Sequence, residues 1–188
     1  MEKEHALKSW NDFSNEEPEV AALGKKLLFQ SREHVGLAFI ATLRKDGAPR
    51  LHPISVILSN GHLYVVIPST SPKCADLTRD GRYALQAFPP SSNEEPAEFY
   101  LAGRAKRIQD PVIRKALTDD TRVTVEENEV LFELCLERVM YTKAMHLDFP
   151  DEHPIHRKWS AASTVEQTCP GQFSTKRIQA CPSKENNQ

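Results

Sequence analysis

Between residues 36 and 67 three stretches of apolar and β-branched residues are cut by two short polar turns, and this punctuation constrains the fold more than any other feature. Residues 36–43 (GLAFIATL) run into Arg44-Lys45-Asp46-Gly47, residues 50–58 run into Ser59-Asn60-Gly61, and residues 62–67 follow. Gly after Asp or Asn suits a hairpin, because it takes a positive φ without a Cβ clash. Strands joined by such short turns lie side by side and run antiparallel. Residues 82–88 and 98–108 read as fourth and fifth strands, and residues 131–145 as further β structure. Helices are few. Val20, Leu23, Leu27, Leu28 and Ser31 share one face of a helix over residues 19–32, and residues 71–79 read as a loop entering a short helix. Residues 110–118 open on Asp-Pro, which places Pro at the first helical position. Mainly β structure with a few helices predicts an antiparallel barrel, closed or nearly so, which leaves no open sheet edge.

At 188 residues the chain is long enough to bury its own core without disulfide or metal support. Lys and Arg (24) nearly balance Asp and Glu (26), whereas a dedicated nucleic-acid binder shows a basic excess. No apolar run approaches the roughly 18–20 residues of a membrane span, and the charged start Met1-Glu2-Lys3-Glu4-His5 lacks the apolar stretch of a signal peptide. The expectation is a soluble cytoplasmic protein with no membrane or nucleic-acid partner. It divides into an acidic, solvated arm (residues 1–18), a domain (19–159) and a polar, flexible tail (160–188). Cys74, Cys135, Cys169 and Cys181 form no metal-type spacing, and Cys135 within an apolar run reads as a small packed hydrophobe. Pro150 and Pro154 interrupt His146, His153 and His156, so that cluster reads as a solvated loop and no metal site is expected.

Glycine-rich dinucleotide and phosphate loops, the nucleophile elbow and the HExxH metal motif are all absent from the sequence. Two nearby segments carry the chemistry instead. Arg50 and His52 point the same way on a strand, and a basic pair is unusual to bury without an anion. Ser71 and Lys73 stand at the start of a helix, where free amides and the dipole favour an anion. Together they would make a phosphate pocket. The alternative is that Arg50 and His52 face solvent and Ser71 only caps its helix.

The order ATLRKDGAPRLHPIS, HLYVVIPSTSPKCADL, RYALQAF and EFYLAGRAKRI resembles the pyridoxamine 5'-phosphate oxidase-like family of FMN-binding split barrels. The resemblance implies a homodimer with FMN at the subunit interface. It places His52 where the oxidases use an Arg, with Arg50, Pro53 and Ser55 in the same strand segment. It matches Ser71 and Lys73 to the phosphate-binding pair, and Val66 and Ile67 to positions whose backbone runs along the flavin. Glu98 takes the place of a Gln contributed by the partner subunit. Trp159 takes that of a C-terminal Trp that approaches the flavin from the other chain.

One departure limits the analogy. The oxidases proper end with an Arg-x-His segment that grips the vitamin's phosphate, and nothing after Trp159 supplies it. The expected function is therefore an FMN-dependent oxidoreductase acting on another small molecule, with no catalytic residue assigned. A non-catalytic flavin- or cofactor-binding dimer is the alternative, and a true pyridoxamine 5'-phosphate oxidase ranks behind both.

Overall fold

The computed structural model describes residues 7–30, 32–90, 96–143 and 154–161. β1 (Val35–Leu43), β2 (Pro49–Ser59) and β3 (His62–Pro68) form the expected antiparallel meander. The turn between β2 and β3 puts Asn60 at φ 49° and Gly61 at φ 77°. Both are left-handed, as a two-residue hairpin that follows the strand twist requires.

The other edge of β1 pairs with β4 (Arg82–Ala87), and β5 (Ala97–Ile108) and β6 (Glu129–Lys143) follow in order. The first part of β6 then pairs with β3, from Pro68↔Glu129 to Tyr64↔Glu133, and closes a six-stranded antiparallel barrel. The later part of β6 pairs with β7 (Ile155–Ser160) instead. Between these two partners Lys8 bridges Leu136, its amide and carbonyl both bonded to that residue's backbone. A bulge between Ala102 and Gly103 bends the β5–β6 ladder. Gly103 is required there, because a Cβ would stand 2.0 Å from the Cys135 carbonyl oxygen.

Strand alternation sorts the side chains. Ala38, Ile40, Ile54, Val56, Leu63, Val65, Ile67, Leu85, Phe99, Leu101, Phe132 and Leu134 fill the barrel. A second cluster lies outside it, where α4 (Pro111–Thr121) lays Leu117 over Ile57, Tyr64, Ile108 and Leu131.

The N-terminal segment differs from the expected solvated arm. Residues 10–16 form α1 (Trp10–Glu16), ahead of α2 (Pro18–Leu28). Ser9 and Asp12 make a reciprocal capping box, the Asp12 amide donating to Ser9 Oγ at 3.1 Å and the Ser9 amide to Asp12 Oδ2 at 2.8 Å. The Ser9 amide, with the Ser9 hydroxyl donating to the same Oδ2 at 2.8 Å, holds the Asp12 carboxyl below the usual range. Trp10 and Phe13, three apart and therefore on one helical face, are buried in the main core. Fully burying a side chain such as Phe13 contributes about 1.5–3 kcal/mol, more than a few solvated carboxylates nearby can offset. Overall acidity hid two aromatic anchors. β7 likewise lies where a loop was expected around His156. His146, His153, Cys169, Cys181 and the tail beyond Ala161 lie outside the described residues.

Candidate functional site

The site forms where the barrel splits. β2 and β3 pair only next to their turn, from Ser59↔His62 to Ile57↔Tyr64. Beyond that point the two strands diverge: residues 49–56 of β2 keep β1 as their ladder partner, and residues 65–68 of β3 keep β6. Each therefore presents an edge to the opening between them. Pro53, Ser55 and Val66 turn their backbone groups toward the opening, whereas those of Ile67 turn to β6.

α3 (Pro72–Asp80) enters this opening. Ser71 is its N-cap, yet the Ser71 hydroxyl makes no capping bond. Its carbonyl instead accepts the Cys74 amide at 2.9 Å, while its own amide donates to the Pro68 carbonyl at 2.9 Å. Pro72 has no N–H to satisfy, and the Lys73 amide is one of the helix's orphan donors. Lys73 Nζ reaches the Pro53 carbonyl at 3.4 Å, a long contact that ties α3 to β2 loosely. A hydroxyl, an ammonium and a first-turn amide thus gather at one point.

One turn further along the helix stands a residue that sequence reasoning missed. Asp76, 4% exposed, accepts from Arg50 Nε at 2.7 Å and from Thr42 Oγ1 at 3.0 Å, with Arg79 Nη1 at 3.4 Å. Burial pushes the Asp76 carboxyl up, but the hydrogen bonds from Arg50 and Thr42 and the Arg50 charge outweigh it and hold the group below its usual range. The counter-anion anticipated beside Arg50 is therefore supplied by the chain itself. Arg50 neither faces solvent freely nor stands open to a ligand on all sides. His52 is half-buried on the same face of β2, opposite Ile40. An acid in the middle of a short helix carries no motif, so only the packing of α3 against the barrel could reveal Asp76.

The outward face beside the opening is apolar. Leu37 and Leu51 are 52% and 65% exposed, and Phe39 stacks on Phe88 with ring centroids 4.4 Å apart. Across the strands Leu37 lies opposite Ser55, Phe39 opposite Pro53 and Ala41 opposite Leu51, which makes the patch continuous over β1 and β2. A groove of about 380 Å³ runs along it, lined among others by Leu28, Gln30, Leu37, Ser55 and Phe88. Small-molecule sites span roughly 300–1,000 Å³, so the groove is large enough for one.

The remaining expected residues divide. Val66 is half-buried with its backbone toward β2, while Ile67 is fully buried and its backbone groups turn to β6, opposite Val130, so Ile67 offers nothing to the opening. Glu98 is exposed on β5, opposite Thr142, away from the Ser71–Lys73 point. Trp159 is buried within this chain. It is 9% exposed, its indole Nε1 donates to Glu16 Oε2 at 2.7 Å, and its ring lies 5.1 Å from that of Phe13. α1, unforeseen from sequence, covers it.

Under α4, at the last β2–β3 pair, burial and the charge of Glu133 push the Tyr64 hydroxyl up to about 12. Among the described residues no group of three or more His, Cys, Asp or Glu side chains is disposed to hold a metal ion, and no helix is long and apolar enough to cross a membrane.

A six-stranded antiparallel barrel that splits between β2 and β3 defines the split-barrel class of β proteins. Residues 28–143 match the pyridoxamine 5'-phosphate oxidase family, and the chain belongs to it. Among solved structures, the chain is similar to a heme-binding protein from Mycobacterium smegmatis, with 17% identity and a TM-score of 0.54 over 74% of this chain and 58% of that one. It is similar also to the protein Atu2129 from Agrobacterium tumefaciens, of unknown function, with 17% identity and a TM-score of 0.51 over 69% of this chain and 58% of that one. At such identity the likeness is one of fold, and the aligned region spans little more than half of either protein. No curated protein matches the sequence.

Proposed function

We propose that this chain binds FMN and acts as an FMN-dependent oxidoreductase on a small molecule, as a homodimer with the flavin where two subunits meet. The observation that carries the reading is the opening between β2 and β3, with the uncommitted Ser71 hydroxyl, Lys73 and the first-turn amide of α3 at its end. That donor set fits a phosphate monoester: one charge-assisted bond, one hydroxyl bond and one amide at a positive helix end. The strand edges at Ser55 and Val66 offer backbone donors and acceptors to a polar ring edge. The apolar outward face would cover a flat ring and exclude water from it.

Bound flavin supplies hydride transfer, and the protein contributes binding, orientation and shielding. The exposed Leu37, Leu51 and Phe39–Phe88 patch supports a second copy as the cover, because a lone subunit seldom leaves so continuous an apolar face in water. Glu98, on the outer surface of β5, is then available to the partner's site.

A second reading, a cofactor-binding dimer without turnover, is favoured by one observation. Among the described residues, the groove lining includes no carboxylate and no histidine to move a proton. The heme-binding protein of similar fold makes heme the cofactor to try beside FMN. The test is an absorption spectrum after incubation with FMN and, separately, with heme. A bound flavin band that bleaches with a reduced nicotinamide and returns in air supports the oxidoreductase. A bound but unreactive flavin, or a heme band, supports the second reading, and a protein that retains neither refutes both.

A further inference from the structure

Side chains join α3 to β2 at two points rather than one. Lys73 meets Pro53, and three residues on, about 4.5 Å along the helix axis, Asp76 meets Arg50. There a cavity of about 370 Å³ opens, lined by Arg44, Lys45, Asp46, Arg50, Asp76 and Arg79. Four cations thus face two carboxylates, and both carboxylates are already engaged. Asp46 pairs with Arg44 at 3.2 Å, and Asp76 with Arg50 and Arg79 at 2.7 and 3.4 Å.

The way Asp76 holds Arg50 matters. It takes the guanidinium through Nε, and among the described residues the two terminal nitrogens of Arg50 make no hydrogen bond. A guanidinium gripped on its Nε side presents its end as a fork for another oxyanion. Thr42 fixes the Asp76 carboxylate, and Arg79 Nη2 donates to the Leu43 carbonyl, so both guanidinium groups are anchored before any ligand arrives. Excess positive charge around a concave surface attracts anions and is less unfavourable once one is bound.

We propose that this cavity is a second anion site, distinct from the Ser71–Lys73 point, that takes a phosphate or carboxylate group. The inference uses the proposed flavin site only as its neighbour. The group comes either from a flavin longer than FMN or from a separate anionic co-substrate.

The test is a titration of the full-length protein with inorganic phosphate at constant ionic strength. It is followed through the backbone amide resonances of residues 44–50 and 76–79, first without flavin and then with saturating FMN. Saturable shifts that persist in the FMN-loaded protein are expected. Arg44→Ala with Lys45→Ala, both exposed on the β1–β2 hairpin, should lower phosphate affinity at least tenfold and leave FMN affinity within twofold. Lys73→Ala should do the reverse.

Comparing FAD with FMN separates the two sources. FAD that binds more tightly than FMN, and loses that advantage in the hairpin variant, identifies a longer flavin. Equal affinities with phosphate still bound identify a separate co-substrate. Shifts that do not saturate, shifts that chloride reproduces, or a hairpin variant that binds phosphate like the parent overturn the site. Loss of all phosphate binding in Lys73→Ala overturns it too, because a single site then explains everything. If FMN never binds, the flavin reading falls, while the titration of the flavin-free protein still decides this one.

Discussion

Replacing Asp76 by Asn keeps the side chain's shape and removes the charge on which three donors converge. The carboxylate is 4% exposed and Arg50 is 28% exposed at the side chain, so this ion pair is largely withdrawn from water. Breaking a fully buried pair by removing one partner costs about 3–5 kcal/mol, and the partial exposure of Arg50 reduces that. Thr42, 2% exposed, keeps at most one competing acceptor, and an unsatisfied buried hydroxyl costs about 1–3 kcal/mol. Arg79 is half-exposed and its contact is long, so it adds little. Asp76→Asn should therefore destabilise the fold by about 2–4 kcal/mol near neutral pH, measured by urea unfolding.

The pH dependence has a definite sign. The folded-state pKa of Asp76 is lowered, so its contribution is fully present above the unfolded value near 4 and is lost as pH falls through the folded value. The gap between parent and variant should be widest near pH 7 and close under acid conditions. A loss below about 0.5 kcal/mol at pH 7, within the range of ordinary surface substitutions, or a gap that stays constant with pH, would refute the account of Arg50 as a residue held by the chain's own anion.

Other consequences follow from single contacts. Lys73→Ala should weaken FMN binding about ten- to a hundredfold, as loss of one charge-assisted bond implies, with no change in urea midpoint; flavin fluorescence titration checks it. Trp159→Phe should lose about 1 kcal/mol through the missing indole bond to Glu16 and leave FMN affinity unchanged; a weakened flavin complex would return Trp159 to the site. Burial pushes the Cys135 thiol up to about 11, so it should resist iodoacetamide at pH 8 in the folded protein and react on unfolding, as peptide mapping would show. Gly103→Ala should be strongly destabilising, because its Cβ meets backbone rather than a movable side chain; an unfolding midpoint equal to the parent's would contradict the close β5–β6 approach.

Local chemistry settled which segments became strands and where they turned. Asp-Gly and Asn-Gly between alternating apolar runs admit little besides hairpins, and β1, β2 and β3 match residues 36–43, 50–58 and 62–67 within a residue or two. The Ser-x-Lys opening of α3 was legible for the same reason, since a helix start carries its own signals in adjacent residues. Trp10 and Phe13 were present in the sequence too, but an acidic neighbourhood outweighed them, because composition averages over residues that packing treats one by one.

Tertiary structure alone decided the rest. Nothing local says that β2 and β3 part after Tyr64, because that depends on where β6, far along the chain, finds its partners. Nor can a strand position show whether Arg50 meets a ligand or Asp76, whose distance from it depends on how α3 lies against the barrel. Strand periodicity reports which way a side chain points. What it meets there is a long-range contact, set only when the barrel closes.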